Sequence, residues 1–376
     1  MIAGEIQSDQ IDTDVAVIGS GPAGSTAAYL LSRAGVQVAL IDRDRDKQFK
    51  IGETLPGEIR PMLARYNLEG VIDQVDKVES SGNRSIWGSP RPIERSSILN
   101  PYGGGWHVDR AAFDAALRRK ALEAGAQLFA PVFVRQIERT GRCWGIVFES
   151  GETRRRLQAG TIIDASGRNR AFVKQQGVPQ IKHDALVGCY RVFQTTSVMD
   201  TDLFTTIESS PSGWWYSSRI PDQRRVVIYF TDLDLVRGNF WSGNSWEGPI
   251  EITAIIKGLV RDYDYQCVGH ARTLLADTSR LTTPWGQGWR AVGDAAAALD
   301  PLSSSGMMAA VRSAVQVVKQ ILDGSNGTTG DLWGADHDKQ NELRTKYYTQ
   351  ELRWRSSPFW SRRQTGAARM LPTPFP

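Results

Sequence analysis

The sequence predicts an α/β fold, with a parallel sheet assembled from separated parts of the chain, an inserted domain based on a β-sheet and a helical C-terminal segment. Three observations predict it. A strand, a glycine turn, a helix and a second strand follow one another near the start; two similar strand-to-turn sites come later; and an aromatic-rich strand pattern lies between those two. The 376 residues are 41% hydrophobic and 23% charged, which excludes a wholly disordered chain.

Charge and cysteine content limit the expected partners and compartment. The formal net charge of +4 is spread along the chain, so nucleic acid is not an expected partner. The uncharged run 15–32 is broken by glycines and a proline, so a membrane span is not expected either. The first residues are acidic and do not resemble a signal peptide. The cysteines lie far apart without metal-ligand spacing, which predicts a cytoplasmic protein with no metal site; they are Cys143, Cys189 and Cys267.

The first strand, residues 15–18, is a short apolar run that ends in a glycine-rich turn. Gly19 lets the chain turn sharply, Gly21 lets the backbone approach a pyrophosphate, and Gly24 lets the next helix pack closely on the strand. The free amides at the start of that helix face the negative charge of a phosphate. This Rossmann-like unit predicts a dinucleotide site.

The residues around the turn complete the unit. Pro22 suits the first turn of the helix, where no amide hydrogen bond is lost, and Ala23 follows it. The second strand, residues 36–41, ends at Asp42, 18 residues after the last glycine, where a carboxylate can bind a pair of ribose hydroxyls. Arg43 comes next and is placed in the same site. NAD and FAD both use this fold, so the unit alone leaves the cofactor open.

Two later segments narrow the choice. Residues 161–168 read Thr-Ile-Ile-Asp-Ala-Ser-Gly-Arg, and residues 289–301 repeat the strand-to-turn pattern around a Gly-Asp pair. With the first turn, these segments resemble, in order and separation, the three fingerprints of flavoprotein monooxygenases of the para-hydroxybenzoate hydroxylase type. The resemblance implies FAD as cofactor and a Rossmann-like, GR2-type FAD-binding domain. It places in the cofactor site Asp164, Gly167, Gly293 and Asp294.

The resemblance also assigns roles to single residues. Asp294 should hold ribityl or ribose hydroxyls, since a carboxylate accepts two hydrogen bonds. Arg110 looks like the family's FAD-contacting arginine; alternatively, it pairs on its own helix with Asp114. Asp164 is open to a second interpretation as well, because a turn aspartate commonly caps its own loop.

The segment after the last fingerprint predicts a second contact with the flavin. Pro301 fixes the entry and Gly306 precedes an apolar helix. Helix amides aimed at the flavin ring would stabilise negative charge on the reduced cofactor. The alternative is an ordinary serine-capped helix start. The predicted cofactor contacts here are Ser304, Ser305, Gly306 and Met307.

Several further segments point to one branch of these flavoenzymes. That branch holds flavin-dependent halogenases, geranylgeranyl reductase-like enzymes and the tryptophylquinone-maturation flavoproteins of the LodB and GoxB type. The last group is the most similar, on the segments Gly52-Glu-Thr-Leu-Pro56, Gly82-Asn-Arg-Ser-Ile-Trp-Gly88, Gly213-Trp-Trp-Tyr216 and Asp300-Pro-Leu-Ser-Ser304, and on two C-terminal pairs, Arg353-Trp and Phe359-Trp.

This resemblance implies a function. It implies a monooxygenase that uses molecular oxygen to hydroxylate a tryptophan in the precursor protein of a quinone-cofactor oxidase or dehydrogenase. The reductant would be NAD(P)H or another electron donor, because no second complete Rossmann unit is seen.

Other functions stay open. A small-molecule flavin hydroxylase, a reductase and a non-catalytic FAD-bearing escort of the precursor are alternatives. Halogenation is less favoured. Halogenases carry a relay lysine shortly after the Gly-Glu segment, whereas Lys77 comes too early, and the two tryptophans of their signature are replaced by Tyr216 and Ser218.

The substrate side is predicted from aromatic and acidic residues. Trp214, Trp215 and Tyr216 precede a strong strand pattern and are expected to line a pocket for an indole, although each could equally be sheet core. The candidate catalytic residues near the ring are Glu53 and the Asp300-Pro301 pair, whose carboxylates could instead be turn caps.

The order of these motifs predicts a domain plan. The C-terminal tail is basic and aromatic, so it either docks an acidic protein or packs as a solvated helix on the flavin domain. The expected segments are FAD-binding domain at 11–82, an excursion to the substrate domain at 83–105, FAD-binding domain at 106–178, substrate domain at 179–269, FAD-binding domain at 270–330 and the helical, basic tail at 331–376.

Overall fold

A computed structural model describes residues 10–43, 49–151, 153–197, 199–236, 250–324, 330–364 and 369–371. The strands are β1 (Ile11–Ile18), β2 (Val38–Ile41), β3 (Thr54–Leu55), β4 (Lys77–Ser80), β5 (Gly82–Ile86), β6 (Ile93–Ser96), β7 (Gly105–Val108), β8 (Gln127–Phe129), β9 (Phe133–Thr140), β10 (Cys143–Ser150), β11 (Thr153–Asp164), β12 (Gln180–Lys182), β13 (Leu186–Gln194), β14 (Phe204–Ser210), β15 (Gly213–Ile220), β16 (Arg224–Asp232), β17 (Gln266–Leu275), β18 (Ser279–Leu281), β19 (Trp285–Gly286), β20 (Trp289–Ala291), β21 (Ala297–Ala298) and β22 (Arg369–Leu371). The helices are α1 (Pro22–Arg33), α2 (Ile59–Ala64), α3 (Gly70–Asp73), α4 (Arg110–Glu123), α5 (Ala171–Gln175), α6 (Ile256–Asp262), α7 (Gly306–Leu322), α8 (Gly330–Thr349) and α9 (Pro358–Gln364).

The first sheet is built around β1, which is buried between two parallel neighbours. Ile18 lies opposite Ile41 of β2 and opposite Asp164 of β11, and β20 and β8 extend the parallel part outward. The carboxyl ends of these strands therefore meet at one edge, where the turns after them converge. Helix α1 packs against both α4 and α7 on one face of this sheet. This arrangement confirms the predicted α/β class.

A second sheet of seven strands forms the inserted unit, in the order β17-β13-β16-β15-β14-β5-β6. Its last two strands come from residues 82–96, so the early excursion adds strands to one edge of this sheet. The opposite edge is β17, which ends at Leu275, beyond the expected limit at residue 269. By contrast, β12 pairs with β18 in a separate four-stranded sheet. The later segment of the inserted sheet therefore begins at Leu186 and not at the expected residue 179.

The two faces of the inserted sheet are covered differently. One face carries Ile228 and Phe230, and it turns towards the first sheet and the C-terminal helices. The other face carries Trp215 and Tyr229 and packs on Ile256 of α6. Since successive side chains of a strand point to opposite faces, neighbouring aromatic residues of β15 serve two different cores.

The C-terminal helices pack on the inserted sheet, which neither expectation for the tail included. Tyr348, Phe359 and Trp360 are fully buried against Trp87 and Trp214. The arginines of this segment that lie near the sheet are paired with acids of the same chain: Arg344 with Asp184 and Asp300, Arg353 with Glu351, Arg362 with Asp234, and Arg363 with Asp232. Much of the tail's positive charge is therefore balanced within the fold. Within the described part of the chain, no helix is long and apolar enough to cross a lipid bilayer.

Candidate active site

One cavity of about 800 Å³ lies between the carboxyl edge of the parallel sheet and the inserted sheet. Its walls include the glycine turn after β1, the turns after β11 and β20, the start of α7, and side chains from β13, β15 and β16. The structure thus brings together segments that are nearly 300 residues apart in sequence, from Gly19 to Met307.

The glycine turn has the geometry that a dinucleotide needs. Gly19 has a φ of +105°, and a Cβ on Gly24 would lie 1.8 Å from the carbonyl oxygen of Gly19. Both glycines are therefore required by the protein backbone itself. A Cβ on Gly21 would meet nothing within 4 Å, so the space beside its backbone is open to a ligand. Pro22 and Ala23 line the same space, which fits a pyrophosphate at the start of α1.

Asp42 lies at the cavity and binds Ser20 of the glycine turn, a residue to which the sequence analysis assigned no role. Its Oδ2 accepts bonds from the backbone nitrogen of Ser20 at 2.6 Å and from the Ser20 hydroxyl at 2.5 Å. Arg118 in turn donates to the Ser20 hydroxyl at 3.1 Å. A serine between the first two glycines was the available sequence signal. Arg43 lies at the cavity beside Asp42.

Asp164 does not reach the cavity, so the cofactor role expected for its side chain is corrected. Its carboxylate accepts four hydrogen bonds, from the nitrogen and hydroxyl of Ser166 and from the nitrogens of Phe172 and Val173. It is fully buried. The alternative interpretation, a turn aspartate that caps its own loop, describes this residue. Gly167, with a φ of +65°, does line the cavity.

Arg110 makes the helical pair that the alternative interpretation predicts, and it also lies at the cavity. Its Nε donates to Asp114 at 2.9 Å along the helix. A further cavity residue, Lys50, reaches the same Asp114 carboxylate at 3.3 Å. Two cations therefore share one carboxylate at this wall.

The Gly-Asp pair after β20 also lies at the cavity. Gly293 has a φ of +58°, and its nitrogen donates to the Ser313 hydroxyl of α7 at 2.9 Å. The Asp294 side chain is 39% exposed and lies 3.5 Å from Nε of Arg168. Because Asp294 is accessible from the cavity, it is suited to accept hydrogen bonds from ligand hydroxyls.

The loop that follows carries a second correction. Asp300 was a candidate acid or base, but its Oδ1 accepts from the nitrogen of Leu302 at 2.9 Å and its Oδ2 accepts from Arg344 at 2.7 Å. It is 3% exposed. A carboxylate bound in this way anchors the loop and is poorly placed to exchange protons with a ligand. Asp300 itself lies at the cavity wall, as do the expected contacts Pro301, Ser304, Ser305, Gly306 and Met307.

Glu53 and Tyr216 form a hydrogen-bonded pair at the cavity wall. The Tyr216 hydroxyl donates to Oε1 of Glu53 at 2.5 Å and lies 2.8 Å from the Thr54 hydroxyl. Ser218 donates to the same Oε1 at 2.6 Å, and Glu53 is 1% exposed. Burial, together with the neighbouring charge of Glu53, raises the pKa of Tyr216 well above its ordinary value. Tyr216 is therefore neutral at physiological pH and has a fixed orientation.

Trp214 and Trp215 do not line the cavity, so their expected role is corrected. Trp215 points to the opposite face of β15 and packs on Tyr229. Trp214 faces the same side as Tyr216, but its indole is covered by Tyr348 of α8, to whose hydroxyl it donates at 3.1 Å. Both tryptophans are fully buried. Of the predicted aromatic trio, only Tyr216 reaches the cavity.

The histidines lie away from the cavity walls. His107 is fully buried with its Nε2 2.9 Å from the Thr205 hydroxyl, and burial lowers its pKa to about 4. Ligand atoms of His183, His337 and Asp338 lie within 4.8 Å of one another, a grouping that the sequence did not reveal. Arg280 binds both oxygens of that aspartate, so its charge is already balanced.

Comparison with known proteins identifies the family. Residues 12–333 match the FAD binding domain family, and this match includes all three turns at the cavity. The chain belongs to that family. An FAD-binding protein of this family is a flavin-dependent oxidoreductase, and the residues present fit the cofactor, because Gly21 leaves its backbone open to a pyrophosphate and Asp42 and Asp294 line the same cavity.

Two relatives cover most of the FAD-binding chain. It is 28% identical over 366 residues to a protein named as FAD-dependent oxidoreductase LodB from Marinomonas mediterranea, covering 94% of this chain and 98% of LodB. It is 26% identical to a 1H-pyrrole-2-carbonyl peptidyl-carrier-protein brominase from Pseudoalteromonas luteoviolacea, covering 84% and 79% of the two chains. An FAD-dependent oxidoreductase and a halogenating enzyme are thus both among its relatives.

A solved structure extends the comparison of folds. The peptidyl tryptophan dihydroxylase QhpG, described as essential for tryptophylquinone cofactor biogenesis, superimposes with a TM-score of 0.72 at 23% identity. The match covers 94% of this chain and 79% of QhpG. At this identity the similarity establishes a shared fold.

Proposed function

We propose that this protein is an FAD-dependent monooxygenase that hydroxylates a tryptophan side chain of a precursor protein during biogenesis of a tryptophylquinone cofactor. The full-length similarity to LodB supports this proposal, since each chain covers nearly all of the other. The activity printed for QhpG, which has the same fold, is the reaction class that we transfer. The wider statement, a flavin-dependent oxidoreductase, follows from the family alone.

The proposed reaction balances with molecular oxygen and an external two-electron donor. One oxygen atom replaces a ring hydrogen of the indole as a hydroxyl group, and the other leaves as water with two protons. When bound, reduced FAD supplies the two electrons that activate oxygen. NAD(P)H or another donor restores the reduced cofactor. The residues of this chain bind the cofactor, exclude water and orient the indole.

The observation that carries the proposal is the continuity of the cavity. One space runs from the glycine turn to the face of the inserted sheet, where Tyr216 and Glu53 lie. The Tyr216 hydroxyl donates its one hydrogen to the carboxylate, so the Thr54 hydroxyl donates to Tyr216, and the second lone pair of the phenol oxygen remains for a partner in the cavity. An indole N–H fits that acceptor. A hydrogen bond from the indole N–H pushes electron density into the ring, which favours attack on an electrophilic oxygen atom.

The deciding experiment compares the mass of a precursor protein expressed with and without this protein. The gene product encoded beside this protein is the first precursor to test. We expect a tryptophan-containing peptide to gain the mass of oxygen only when the flavoprotein and a reductant are present. The matched control is Asp294→Ala, which should purify with little FAD and leave the precursor unmodified. An unmodified precursor despite full FAD loading and tight complex formation would instead support an escort.

Halogenation is the second candidate, and the relatives favour keeping it. The brominase and a tryptophan 2-halogenase from Chondromyces crocatus both match most of this chain. The lysine nearest the expected relay position, Lys77, binds the carbonyl oxygen of Ile72 and does not line the cavity. Among the described residues, the cavity wall has one lysine, Lys50. Its position makes it the residue to test.

The same mass measurement, repeated with chloride or bromide in the buffer, separates the two chemistries. Product that carries a halogen, and that disappears in a Lys50→Met variant with normal FAD content, would establish halogenation. Oxygenated product that is unaffected by the halide supports the hydroxylase.

A further inference from the structure

A buried arginine of the C-terminal segment connects two carboxylates from different parts of the fold. Arg344 on α8 donates through Nε to Asp300 at 2.7 Å and through Nη2 to Asp184 at 2.5 Å. Its third nitrogen donates to the side-chain oxygen of Asn341 at 2.8 Å. The residue is 8% exposed. All three guanidinium nitrogens are therefore engaged, which holds the two carboxylates at a fixed separation.

Tyr348, one turn further along α8, extends this connection to the inserted sheet. Its hydroxyl donates to the same oxygen of Asp300 at 3.2 Å and accepts from the indole nitrogen of Trp214 at 3.1 Å. The guanidinium carbons of Arg344 and Arg363 each lie 5.3 Å from the centre of the Tyr348 ring. A continuous hydrogen-bonded path thus runs from β15 through α8 to Asp300.

Asp300 is the point where this path meets the cavity. Its other oxygen caps the short turn 301–303, and the residues that follow, from Ser304 to Met307, form the cavity wall before α7. Ser304 has a φ of +47°, an uncommon conformation that the surrounding contacts must hold. The position of this wall therefore depends on where the Asp300 carboxylate is held.

The electrostatics keep the connection intact at neutral pH. Burial lowers the pKa of Arg344, but the neighbouring charges of Asp300 and Asp184 raise it by more. Its pKa therefore lies above the ordinary value. Burial raises the pKa of Asp184, but Arg344 and Arg363 lower it more, so that the net pKa lies below its ordinary value. Arg344 and Asp184 therefore stay ionised. Removing the cation would take an ion-pair partner from two buried carboxylates.

We propose that Arg344 is a positioning residue for the flavin: through Asp300 it sets the position of the cavity wall 301–307 relative to the inserted sheet. The wall ends at the start of α7, whose backbone amides point towards the cavity and favour negative charge there. A displaced wall changes how well the reduced cofactor is stabilised and how fast it reacts with oxygen. This inference rests on FAD binding, which the family establishes, and not on the identity of the substrate.

The test uses the purified full-length flavoprotein in three variants. Arg344→Met removes the cation, and Arg344→Lys keeps a charge that can reach one carboxylate. Arg363→Met is the matched control, because Arg363 is an equally buried arginine of the same segment that lies over the same Tyr348 ring but pairs with Asp232 and does not bind Asp300. FAD content, the melting temperature, the reduction potential of bound FAD and the rate of reoxidation in air after dithionite reduction are measured for each.

We expect both methionine variants to lose thermal stability, but only Arg344→Met to change the flavin. The reduction potential of FAD bound to Arg344→Met should become more negative. Its reoxidation rate should change by about tenfold, which is less than the change of about 100-fold that a misplacement of about 1 Å can cause. Arg344→Lys should restore part of both values. These readouts need no tryptophan substrate, so they stand even where the proposed hydroxylation fails.

The opposite pattern overturns the inference. If Arg344→Met binds FAD with wild-type potential and reoxidation rate while melting like Arg363→Met, the arginine is structural only. If Arg344→Met does not fold, the Arg344→Lys variant decides the question. A wild-type reduction potential and reoxidation rate in Arg344→Lys refute the positioning role. A shift in both quantities that exceeds the shift in Arg363→Met supports it.

Discussion

Two alanine substitutions in the glycine turn separate the fold from cofactor binding. The backbone of Gly21 has φ −70° and ψ −173°, which alanine adopts without strain, and its Cβ would meet no protein atom within 4 Å. Gly21→Ala should therefore fold. The Cβ of Gly24→Ala would lie 1.8 Å from the Gly19 carbonyl oxygen, where ordinary contact begins at 3.4 Å. Helix α1 would have to move by about 3.4 − 1.8 = 1.6 Å to relieve that clash.

The magnitudes follow from these contacts. Overpacking in a close-packed interior costs about 1–3 kcal/mol and at times more, so Gly24→Ala should lower the free energy of unfolding by about 3 kcal/mol. Gly21 lies at the N-cap of α1, where alanine in place of glycine costs about 1 kcal/mol or less. The methyl group of Gly21→Ala occupies the space into which the pyrophosphate must come. Its FAD affinity should fall at least about tenfold, or about 1.4 kcal/mol.

Urea unfolding of the apoprotein measures the free energy of unfolding of each variant. A separate titration of the folded apoprotein with FAD, followed by quenching of flavin fluorescence, measures the FAD affinity. Gly70→Ala is the control for glycine replacement without a positive φ, since its Cβ would meet no atom within 4 Å and it lies outside the cavity. The reasoning is refuted by a Gly21→Ala variant that binds FAD as tightly as the wild type, or by a Gly24→Ala variant with unchanged stability.

Three further outcomes are expected. Tyr216→Phe and Glu53→Gln should each keep FAD and lower hydroxylation by about 100-fold, measured as product per enzyme by mass spectrometry, whereas equal rates would exclude the pair from the reaction. Trp214→Phe should lower the free energy of unfolding by about 2 kcal/mol in urea, because its hydrogen bond and its volume are lost, and a change in FAD affinity without that loss would contradict its core position. His107 has a folded pKa of about 4, below the unfolded value, so the unfolded chain binds more protons as the pH falls and stability decreases. Between pH 7 and pH 5 His107 should account for a loss of about 2 kcal/mol, and a His107→Asn variant with the same pH dependence as the wild type would disprove this.

The cofactor region could be predicted because its chemistry is local. The spacing of Gly19, Gly21 and Gly24 reports backbone conformations and close contacts within one short segment, and the structure places them accordingly. The order of the three turns resembled the fingerprints of a flavoprotein family, and that resemblance indicated FAD; the parallel strands bring the three turns to one edge. The family match agrees with that prediction.

The carboxylates show where this reasoning stops. Asp300 was a reasonable acid or base by sequence, but its partner Arg344 lies 44 residues away on a C-terminal helix whose packing against the inserted sheet the sequence did not predict. Glu53 is bound by Tyr216, 163 residues away. Neither pairing has a local signal, because hydrogen bonds between distant segments depend on how the two sheets and the C-terminal helices pack.

By itself, the sequence determined the α/β class and the glycine turn, since those depend on residues that are close in the chain, and the order of three separated turns indicated the cofactor. Only the tertiary structure decided which polar and aromatic groups are available to a ligand. Trp214 and Tyr216 point to the same side of one strand, yet α8 covers the first and leaves the second at the cavity. Availability is a matter of burial and of long-range partners, and both are properties of the packed molecule.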